Sequence, residues 1–328
     1  MVKKIRIGFV DFWKGFDPQK NCLTDMLIRM YGRKNIEIVD KDFDFLFFSC
    51  FGYRNLKYDC VKIFFTGENR VPDFNICDYA LGVHELTFGD RYLRLPFYYW
   101  YDEAYARALR KHQFTDSYYL NRKFCCFVIS NSLADASRQE MISLLNRYKK
   151  LDGGGKYLNN IGGAVKNKYA FTSNYKFSLC FENSMANGYT TEKILEGFAG
   201  NGIPIYWGNP GVVQEFNPKS FINCNSYGSL SEAVEYIKKV DNDDELYLQF
   251  VREPVFIESS SGKKEVTEKN LEAFFKNIFE QKLSEARRIN RVGIGERYLQ
   301  QMRLLRPVFS LYSILLRTCA GFRNRRCR

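Results

Sequence analysis

Short apolar runs alternate with amphipathic stretches along the whole chain, in two successive series. Short apolar runs predict buried strands, and apolar positions three and four residues apart predict helices. The first series predicts strands at residues 4–12, 36–39, 43–50, 61–66 and 79–83, with helices at 19–31 and 102–111. The second predicts strands at 124–130, 175–181, 203–207 and 220–224, with helices at 134–148, 190–200, 230–240, 244–252 and 268–288.

This alternation of strands and helices predicts an α/β fold whose parallel sheets are covered on both faces. Two series in tandem indicate two Rossmann-like domains facing each other across a cleft, with bounds at 1–122 and 123–288. In open parallel sheets, ligands bind beyond the carboxyl ends of the strands. The residues that follow each strand are therefore the candidates for chemistry.

The positive charge of the chain is concentrated near its end. The formal net charge is +12, and residues 287–328 hold eleven arginines against one acid, Glu296. Eleven minus one gives +10 for this segment, which leaves +2 for the other residues. The basic character therefore describes a tail, residues 289–328, and not a catalytic face.

The tail has the period of an amphipathic helix, with Pro307 either starting or kinking it. Its polar positions recur at spacings of three and four, and apolar residues fall between them: Arg303, Arg306, Ser310, Ser313 and Arg317 against Leu304, Val308, Leu311, Tyr312, Leu315 and Cys319. Such a helix is typical of a peripheral anchor on an anionic membrane. Two alternatives are a helix that packs its apolar face on the catalytic body and an arm that binds nucleic acid.

The cysteines and the start of the chain predict a reducing compartment. None of the ten cysteines forms a Cys-x-x-Cys pair, and four lie in apolar strand-like runs, as reduced thiols do: Cys50, Cys125, Cys126 and Cys180. Arg6 and Asp11 interrupt any apolar core of a signal peptide. No apolar run reaches the ~18 residues of a membrane span. We therefore expect a cytoplasmic protein.

The segment with the most candidate chemistry is residues 175–210, YKFSLCFENSMANGYTTEKILEGFAGNGIPIYWGNP. A buried strand ends at Glu182-Asn183, a polar loop follows, and a helix opens near Thr190, a plausible N-cap. Free N–H groups at a helix start bind anions. A cation such as Lys193 in the first turn is unfavourable beside the positive end of the helix dipole, unless an anion such as a diphosphate binds there. The alternative is an ordinary helix start with a solvated Glu-Lys pair.

This segment resembles the donor-binding motif of the α-1,3/4-fucosyltransferases, glycosyltransferase family 10. The resemblance continues in order through FTGENRVPDFN (65–75), DYALGVHELTF (78–88), DRYLRLP (90–96), VISN (128–131), DGGG (152–155), VKNK (165–168) and FNPKSF (216–221). It implies a GT-B fold with an N-terminal acceptor domain, a C-terminal GDP-fucose domain and inversion at the anomeric carbon. The tail is similar to the basic C-terminal ends of bacterial members, which implies peripheral association through residues 303–328 with the inner face of the bacterial membrane.

In the acceptor domain, the resemblance makes Glu85 the candidate general base, which takes the proton of the acceptor hydroxyl. Such a base works best with a pKa raised by a partly apolar setting, which Leu86 and Phe88 beside it could supply. Neighbouring His84 titrates near neutrality and is a rival base or a residue lining the site.

In the donor domain, the resemblance implies that four residues hold the nucleotide phosphates: Arg138, Asn183, Tyr189 and Lys193. Glu192 matches a carboxylate near ribose and fucose that also stabilises oxocarbenium character. Glu182 and Gly154 are candidates for lining. A guanidinium that clamps diphosphate oxygens offsets the charge developing on the leaving GDP.

No metal or tightly bound cofactor is predicted. Three Asp-x-Asp strings occur, at residues 40–42, 42–44 and 241–243, and all three are interpreted as solvated turns. Positive side chains then replace the metal that such a pair binds in single-domain glycosyltransferases.

The resemblance implies transfer of L-fucose from GDP-fucose to the 3-hydroxyl, or the 4-hydroxyl, of N-acetylglucosamine in N-acetyllactosamine-type glycans. Lewis-antigen-like structures of lipopolysaccharide are acceptors of this kind. The sequence leaves the acceptor and the linkage open. The sequence is also compatible with two other hypotheses: a GT-B enzyme that uses another nucleotide sugar, and a nucleic-acid-binding protein that uses the basic tail.

Overall fold

A computed structural model describes residues 4–110, 113–260 and 262–326, with side chains up to residue 312. The chain folds into two compact units, Met1–Leu95 with Glu268–Arg328, and Pro96–Thr267. These bounds differ from the predicted domains in two places. Residues 96–122 fold with the second unit, and the chain from Glu268 onward returns to the first.

Each unit is built on a parallel sheet, as the α/β pattern predicts. The strands are β1 Ile5–Val10, β2 Ile36–Ile38, β3 Phe45–Phe48, β4 Val61–Phe65, β5 Tyr79–Gly82, β6 Tyr92–Arg94, β7 Lys123–Phe127, β8 Asp152–Gly153, β9 Tyr175–Phe181, β10 Ile203–Trp207 and β11 Ile222–Asn223. The first sheet has the order β2-β1-β3-β4-β5-β6 and the second β11-β10-β9-β7-β8, with every pairing parallel.

Helices cover these sheets. They are α1 Cys22–Tyr31, α2 Asp102–Ala108, α3 Asp116–Leu120, α4 Ala136–Tyr148, α5 Lys168–Thr172, α6 Glu192–Ala199, α7 Leu230–Asn242, α8 Asp244–Arg252, α9 Lys264–Phe279, α10 Leu283–Ala286 and α11 Ile294–Arg326. β9, β10 and α8 have the predicted bounds. The pattern did not predict β6, β8, α3 and α5, because elements of two to five residues are too short to show a period.

The helix predicted at 268–288 is wrong as a single element. α9 ends at Phe279, and only the short α10 follows. The Gln281 side chain donates to the Tyr79 hydroxyl at 2.9 Å. Farther on, the backbone N–H groups of Arg288 and Ile289 donate to the Asp78 carboxylate at 2.7 and 2.9 Å. These contacts with the first sheet redirect the chain, so tertiary structure overrides helix propensity here.

Aromatic packing explains why the chain after Glu268 belongs to the first unit. β3 and β4 are buried along their whole length, which requires cover on both faces. On one face, the Phe279 ring of α9 lies 4.6 Å from Phe45, between centroids, and Phe275 lies 6.2 Å from Phe47. Removing α9 would therefore expose the core of this sheet.

The first arginines of the basic segment form ion pairs within the first unit. Arg288 pairs with Asp90 at 2.6 Å, and Arg287 and Arg291 both pair with Asp59. A tail that is free from residue 289 onward is therefore not what the structure shows. The start of the segment fastens the returning chain to the sheet.

α11 begins at Ile294, so Pro307 lies inside this helix and does not start it. One face packs on the first unit, where Leu299 is buried, the Arg303 Nε donates to the Leu56 carbonyl at 3.1 Å, and Phe309 lies 5.2 Å from Tyr53. The opposite face carries apolar side chains that stay exposed, among them Leu304 at 79% and Leu311 at 59%. The interpretation that the apolar stripe packs on the body is therefore wrong for these residues.

Asp241, in the third Asp-x-Asp string, is not in a solvated turn. Its carboxylate is buried in the second unit, pairs with Lys149 at 2.5 Å and accepts from the Tyr148 hydroxyl at 3.0 Å. A buried carboxylate needs a charge partner, and Lys149 supplies it.

Among residues 4–110, 113–260 and 262–326, no helix is both long and apolar enough to cross a membrane.

Candidate active site

Glu182 follows β9 directly and is buried completely. Its carboxylate accepts from the Thr191 N–H at 2.8 Å and from the Thr191 hydroxyl at 2.7 Å. Glu182 therefore fixes the start of α6 and does not line a site, which corrects the prediction. The N-cap of α6 is Thr191 and not Thr190, and because its hydroxyl is turned toward Glu182, no side chain caps the helix.

Lys193 lies among carboxylates at this helix start. Its ammonium donates to Glu182 at 3.0 Å and to the Thr191 hydroxyl at 2.7 Å, and lies 3.5 Å from Glu192. Burial acts to lower the pKa of Lys193, but the two carboxylates outweigh burial and raise it. The cation is thus held charged, and its side chain keeps 24% exposure through which it can reach a ligand. The Glu192–Lys193 pair is present but mostly buried, so it is not the solvated pair of the alternative interpretation.

Arg138 is buried near the carboxyl ends of β7 and β9. It donates to the Phe181 carbonyl at 3.1 Å, to the Asn183 amide oxygen at 2.7 Å and to the Asn131 carbonyl at 3.3 Å. Its Nε is buried without a hydrogen-bond partner within the described residues. Burial lowers the pKa of Arg138, an effect that the charges of Glu182 and Tyr189 oppose. A buried guanidinium with an Nε that lacks a hydrogen-bond partner is suited to an anionic ligand.

Tyr189 lies near both cations, Arg138 and Lys193. Its side chain is buried, and its phenol influences the pKa of both Arg138 and Lys193. The structure therefore places Arg138, Asn183, Tyr189 and Lys193 together in the second unit. Glu192 is beside them, where the Lys193 charge lowers its pKa against the effect of burial.

A second layer of polar side chains, which the sequence interpretation missed, holds the loop before α6. Asn209 accepts from the Gly188 N–H at 2.8 Å and donates to Thr190 and to the buried Glu215, both at 2.9 Å. Tyr98 and Thr190 donate to Glu215 at 2.8 and 2.7 Å. The sequence position of Asn209 could have indicated this role. Asn209 follows the end of β10, which lies beside β9, and ligands bind beyond the carboxyl ends of such strands.

Gly154 is buried, and a β-carbon built there would lie 2.8 Å from the Phe171 ring. At Gly155 a β-carbon would lie 1.9 Å from the Ile129 carbonyl oxygen. Close packing of side chains at Gly154 and close approach of the backbone at Gly155 leave no room for a β-carbon. The structure assigns Gly154 to packing and not to the lining of a site.

Glu85 and His84 lie in the first unit, three and two residues after the end of β5. Glu85 is exposed. Phe88 stacks on Phe74 at 4.3 Å and Leu86 packs into the core, so the apolar setting expected for Glu85 is not found. The His84 Nε2 lies 2.7 Å from the Asn69 amide oxygen, and burial, followed by the charge of Arg94, lowers its pKa.

Within the described ranges, no three His, Cys, Asp or Glu side chains are grouped so that they could hold a metal ion. Cys125, Cys126 and Cys180 are buried free thiols, and Cys50 is a half-buried one. The groups of the second unit that can bind an anion are the Arg138 guanidinium, the Lys193 ammonium and the uncapped start of α6.

Two parallel sheets, with clustered cations beyond the strands of the second, form the architecture of the GT-B glycosyltransferases, as the match to solved structures shows. A solved α1,3-fucosyltransferase with GDP-fucose matches at a TM-score of 0.73 and 31% identity, covering 86% of this chain and 92% of that one. The profile of the Alpha-(1,3)-fucosyltransferase FucT N-terminal domain matches residues 7–101, and that of glycosyltransferase family 10 (fucosyltransferase), C-term, matches residues 120–276. The chain belongs to glycosyltransferase family 10, which confirms the resemblance seen in the sequence.

Among curated relatives, Alpha-(1,3)-fucosyltransferase FucT of Helicobacter pylori is 37% identical over 265 residues, 70% of this chain and 54% of that protein. Human 4-galactosyl-N-acetylglucosaminide 3-alpha-L-fucosyltransferase 9 is 31% identical over 134 residues, 39% of this chain and 36% of that protein. The chain thus spans about half the length, or less, of these curated relatives.

Proposed function

We propose that this protein transfers L-fucose from GDP-fucose, with inversion, to the 3-hydroxyl or 4-hydroxyl of N-acetylglucosamine in an N-acetyllactosamine-type glycan. The acceptor oxygen bonds to C1 of fucose while the bond from C1 to the diphosphate breaks. The electron pair of that bond leaves with GDP, and Glu85 takes the acceptor proton. Membership of family 10 favours this donor over another nucleotide sugar.

The observation that carries the proposal is the grouping of Arg138, Asn183, Tyr189 and Lys193 beyond β9. Two cations in a mostly buried setting stabilise a diphosphate more strongly than they would in water, and they stabilise it most as GDP leaves. Glu192 beside them supplies negative charge for the oxocarbenium-like sugar. These residues perform in this proposal the task that a metal performs elsewhere.

A comparison of Glu85 with the neighbouring His84, both in the first unit, supports Glu85 as the general base. The neighbouring titratable candidate, His84, has Nε2 directed at Asn69 and a lowered pKa. Its Nδ1 is buried. A general base must reach the proton that it abstracts, which an exposed carboxylate does more readily than this imidazole.

Donor selectivity can be tested with a thermal-shift panel of GDP, UDP and ADP, with and without chelator. GDP at a hundred times its Kd should add about 2.7 kcal/mol to the free energy of unfolding. We expect stabilisation by GDP alone and no effect of chelator. Stabilisation by UDP instead would favour another nucleotide sugar, and salt-sensitive binding of duplex DNA without any nucleotide effect would favour the nucleic-acid hypothesis. Incubation with GDP-fucose and a panel of glycans, with linkage determined by NMR, then identifies the acceptor.

We further propose that α11 places the protein on an anionic membrane surface, as expected for a cytoplasmic protein at the inner face of the membrane. Leu304, Val308, Leu311 and Tyr312 recur on one face of the helix, and all are exposed. Five arginines follow in sequence between residues 317 and 328, outside the side chains that the structure describes. Apolar burial at the interface and attraction to anionic lipid act together in such helices.

Truncation after Ser310 should abolish binding to anionic vesicles but leave the protein folded and active on soluble acceptors. It keeps the contacts of Arg303 and Phe309, and it removes five arginines worth about 1 kcal/mol each near the surface. Truncation after Arg288 should instead destabilise the protein, because it removes the buried Leu299 and the bond from the Tyr298 hydroxyl to Asp73.

Vesicle flotation at low and high salt measures the binding. A full-length variant with glutamine at Leu304, Val308 and Leu311 tests the apolar face separately, because it keeps all the arginines. These side chains are exposed, so the variant should fold normally, but it should also float poorly. Equal flotation of this variant and the wild type, or binding that is insensitive to salt, would contradict the anchor.

A further inference from the structure

An aromatic cluster lies beyond the carboxyl end of β1. Phe12 stacks on Phe16 with ring centroids 4.0 Å apart, and the Trp13 indole meets Phe16 edge-on at 5.2 Å. Phe51, from the loop after β3, lies 6.3 Å from Trp13. Trp13 is 40% exposed, whereas the three phenylalanines are half-buried. The cluster therefore presents one large indole to solvent on a base of packed rings.

Asp11 fixes this cluster in place. It has a positive φ of 61°, a conformation that is strained for a residue with a side chain. Its buried carboxylate accepts from the backbone N–H groups of Arg54 and Asn55 at 2.9 and 2.8 Å, and its carbonyl accepts from the Phe51 N–H at 3.0 Å. At Gly52, a β-carbon would lie 2.4 Å from the Asp11 carboxylate. The two loops are thus locked together, and strain of this kind concentrates at ligand sites.

The cluster lies on the same sheet edge as Glu85. Along the sheet, β1 is followed by β3, β4 and β5, and Glu85 comes three residues after β5. Phe12 stacks on Phe65, the last residue of β4, at 6.2 Å, and Phe65 pairs with Leu81 of β5. Three strand steps of about 4.8 Å separate β1 from β5 by about 14 Å. That distance exceeds the width of one sugar ring.

We propose that Trp13 stacks on a sugar of the acceptor other than the one that receives fucose. The proposal rests on the proposed function. A pyranose ring has an apolar C–H face that an exposed indole can cover, while the indole N–H can donate to a hydroxyl. Trp13 then determines whether a disaccharide is preferred over a monosaccharide. Asp11 is a positioning residue that acts through Trp13 and Phe51.

W13A should raise KM for an N-acetyllactosamine acceptor about tenfold or more, as expected for truncation of a central aromatic contact. KM for free N-acetylglucosamine, kcat with that monosaccharide and Kd for GDP should stay as in the wild type. W13F should recover part of the disaccharide preference. D11N, which tolerates a positive φ but loses one charged acceptor, should show the same KM split to a smaller degree.

A second readout does not depend on turnover. Of the three tryptophans, Trp13 is the exposed one, so disaccharide binding should change the intrinsic fluorescence of the wild type and not that of W13F. If the wild type transfers fucose to no glycan, the proposed function fails. If it transfers fucose but W13A keeps the wild-type preference, or loses both acceptors equally, only the inference about Trp13 fails. A change in sedimentation of W13A without a change in KM would mark this face as a contact between copies, which also overturns the inference.

Discussion

Replacement of Glu85 by glutamine should reduce the rate of fucose transfer by at least ~10²-fold while the affinity for GDP-fucose stays unchanged. Glutamine has nearly the shape of glutamate but cannot accept a proton at the pH of the reaction. The acceptor hydroxyl would then have to lose its proton to water, which is a far weaker base. Because Glu85 is exposed, the change in the free energy of unfolding should stay within about 0.5 kcal/mol.

Three measurements make this result specific to a base. Kd for GDP should be the same in E85Q and the wild type, KM for the acceptor should change less than kcat, and the thermal midpoint should not move. His84→Gln is the control variant. It removes the imidazole beside Glu85, and its new amide group can donate to the Asn69 oxygen in place of the ring. We expect H84Q to retain most of the activity. Activity near the wild-type rate in E85Q, or a larger loss in H84Q, would transfer the role to His84 or Glu192.

The pattern of the sequence predicts the sheets well and the short elements poorly. The predicted bounds of β9, β10 and α8 match the structure to the residue, because each is a strong periodic or apolar run bounded by polar residues or glycine. The position of the candidate donor-binding residues follows from the rule that ligands bind beyond the carboxyl ends of strands. The identity of those residues followed from the resemblance to family 10.

The burial of Glu182 could not be predicted in the same way. From the sequence it is one of several polar residues after a strand, equally able to line a site. Its burial depends on the path of the loop to Thr191, and that path is held by Asn209 and Glu215, which lie farther along the chain. Local sequence carries no information on a hydrogen-bond network that distant residues complete.

The tail shows a related limit. The structure has a helix at this place, Ile294–Arg326, but a helical period does not say which stripe of side chains meets the protein. In the structure Arg303 and Phe309 face the first unit while Leu304 and Leu311 face outward. An arginine stem can cover apolar surface and donate to a carbonyl at once, so a polar stripe is able to form the packed side.

Replacement of Lys193 by alanine should weaken GDP binding and destabilise the protein. A hydrogen bond to a charged group contributes about 1.5–3 kcal/mol, so Kd for GDP should rise about 10- to 100-fold. The second effect follows from Glu182, which has no exposure and would lose its cation. Removal of one partner of a buried ion pair costs about 3–5 kcal/mol. Alanine scanning alone would therefore confuse a ligand contact with a fold contact.

The stability of K193A should also depend on pH in a definite direction. Burial raises the pKa of Glu182, and Lys193 opposes this effect, so loss of the ammonium raises the pKa further. A carboxyl group with a raised pKa in the folded state takes up a proton on folding. Below the unfolded pKa of about 4.3 the group is protonated in both states, so the raised pKa does not change the free energy of unfolding. As pH rises above that value, the raised pKa lowers the free energy of unfolding progressively. The difference in unfolding free energy between the wild type and K193A should therefore widen from pH 4 to pH 7.

The double variant E182Q/K193A separates the two roles of Lys193. A glutamine side chain in place of Glu182 is neutral and can still accept from Thr191, so the stability lost in K193A should largely return, and its dependence on pH should disappear. GDP binding should not return, because the ammonium is still missing. E182Q alone is the control: it should keep its affinity for GDP, because the Lys193 ammonium still has Glu192 at 3.5 Å, while its free energy of unfolding should fall by the loss of the buried pair. Recovery of GDP binding together with stability in the double variant would show that Lys193 supports the loop without contacting the donor, and Arg138 would then be the main phosphate ligand.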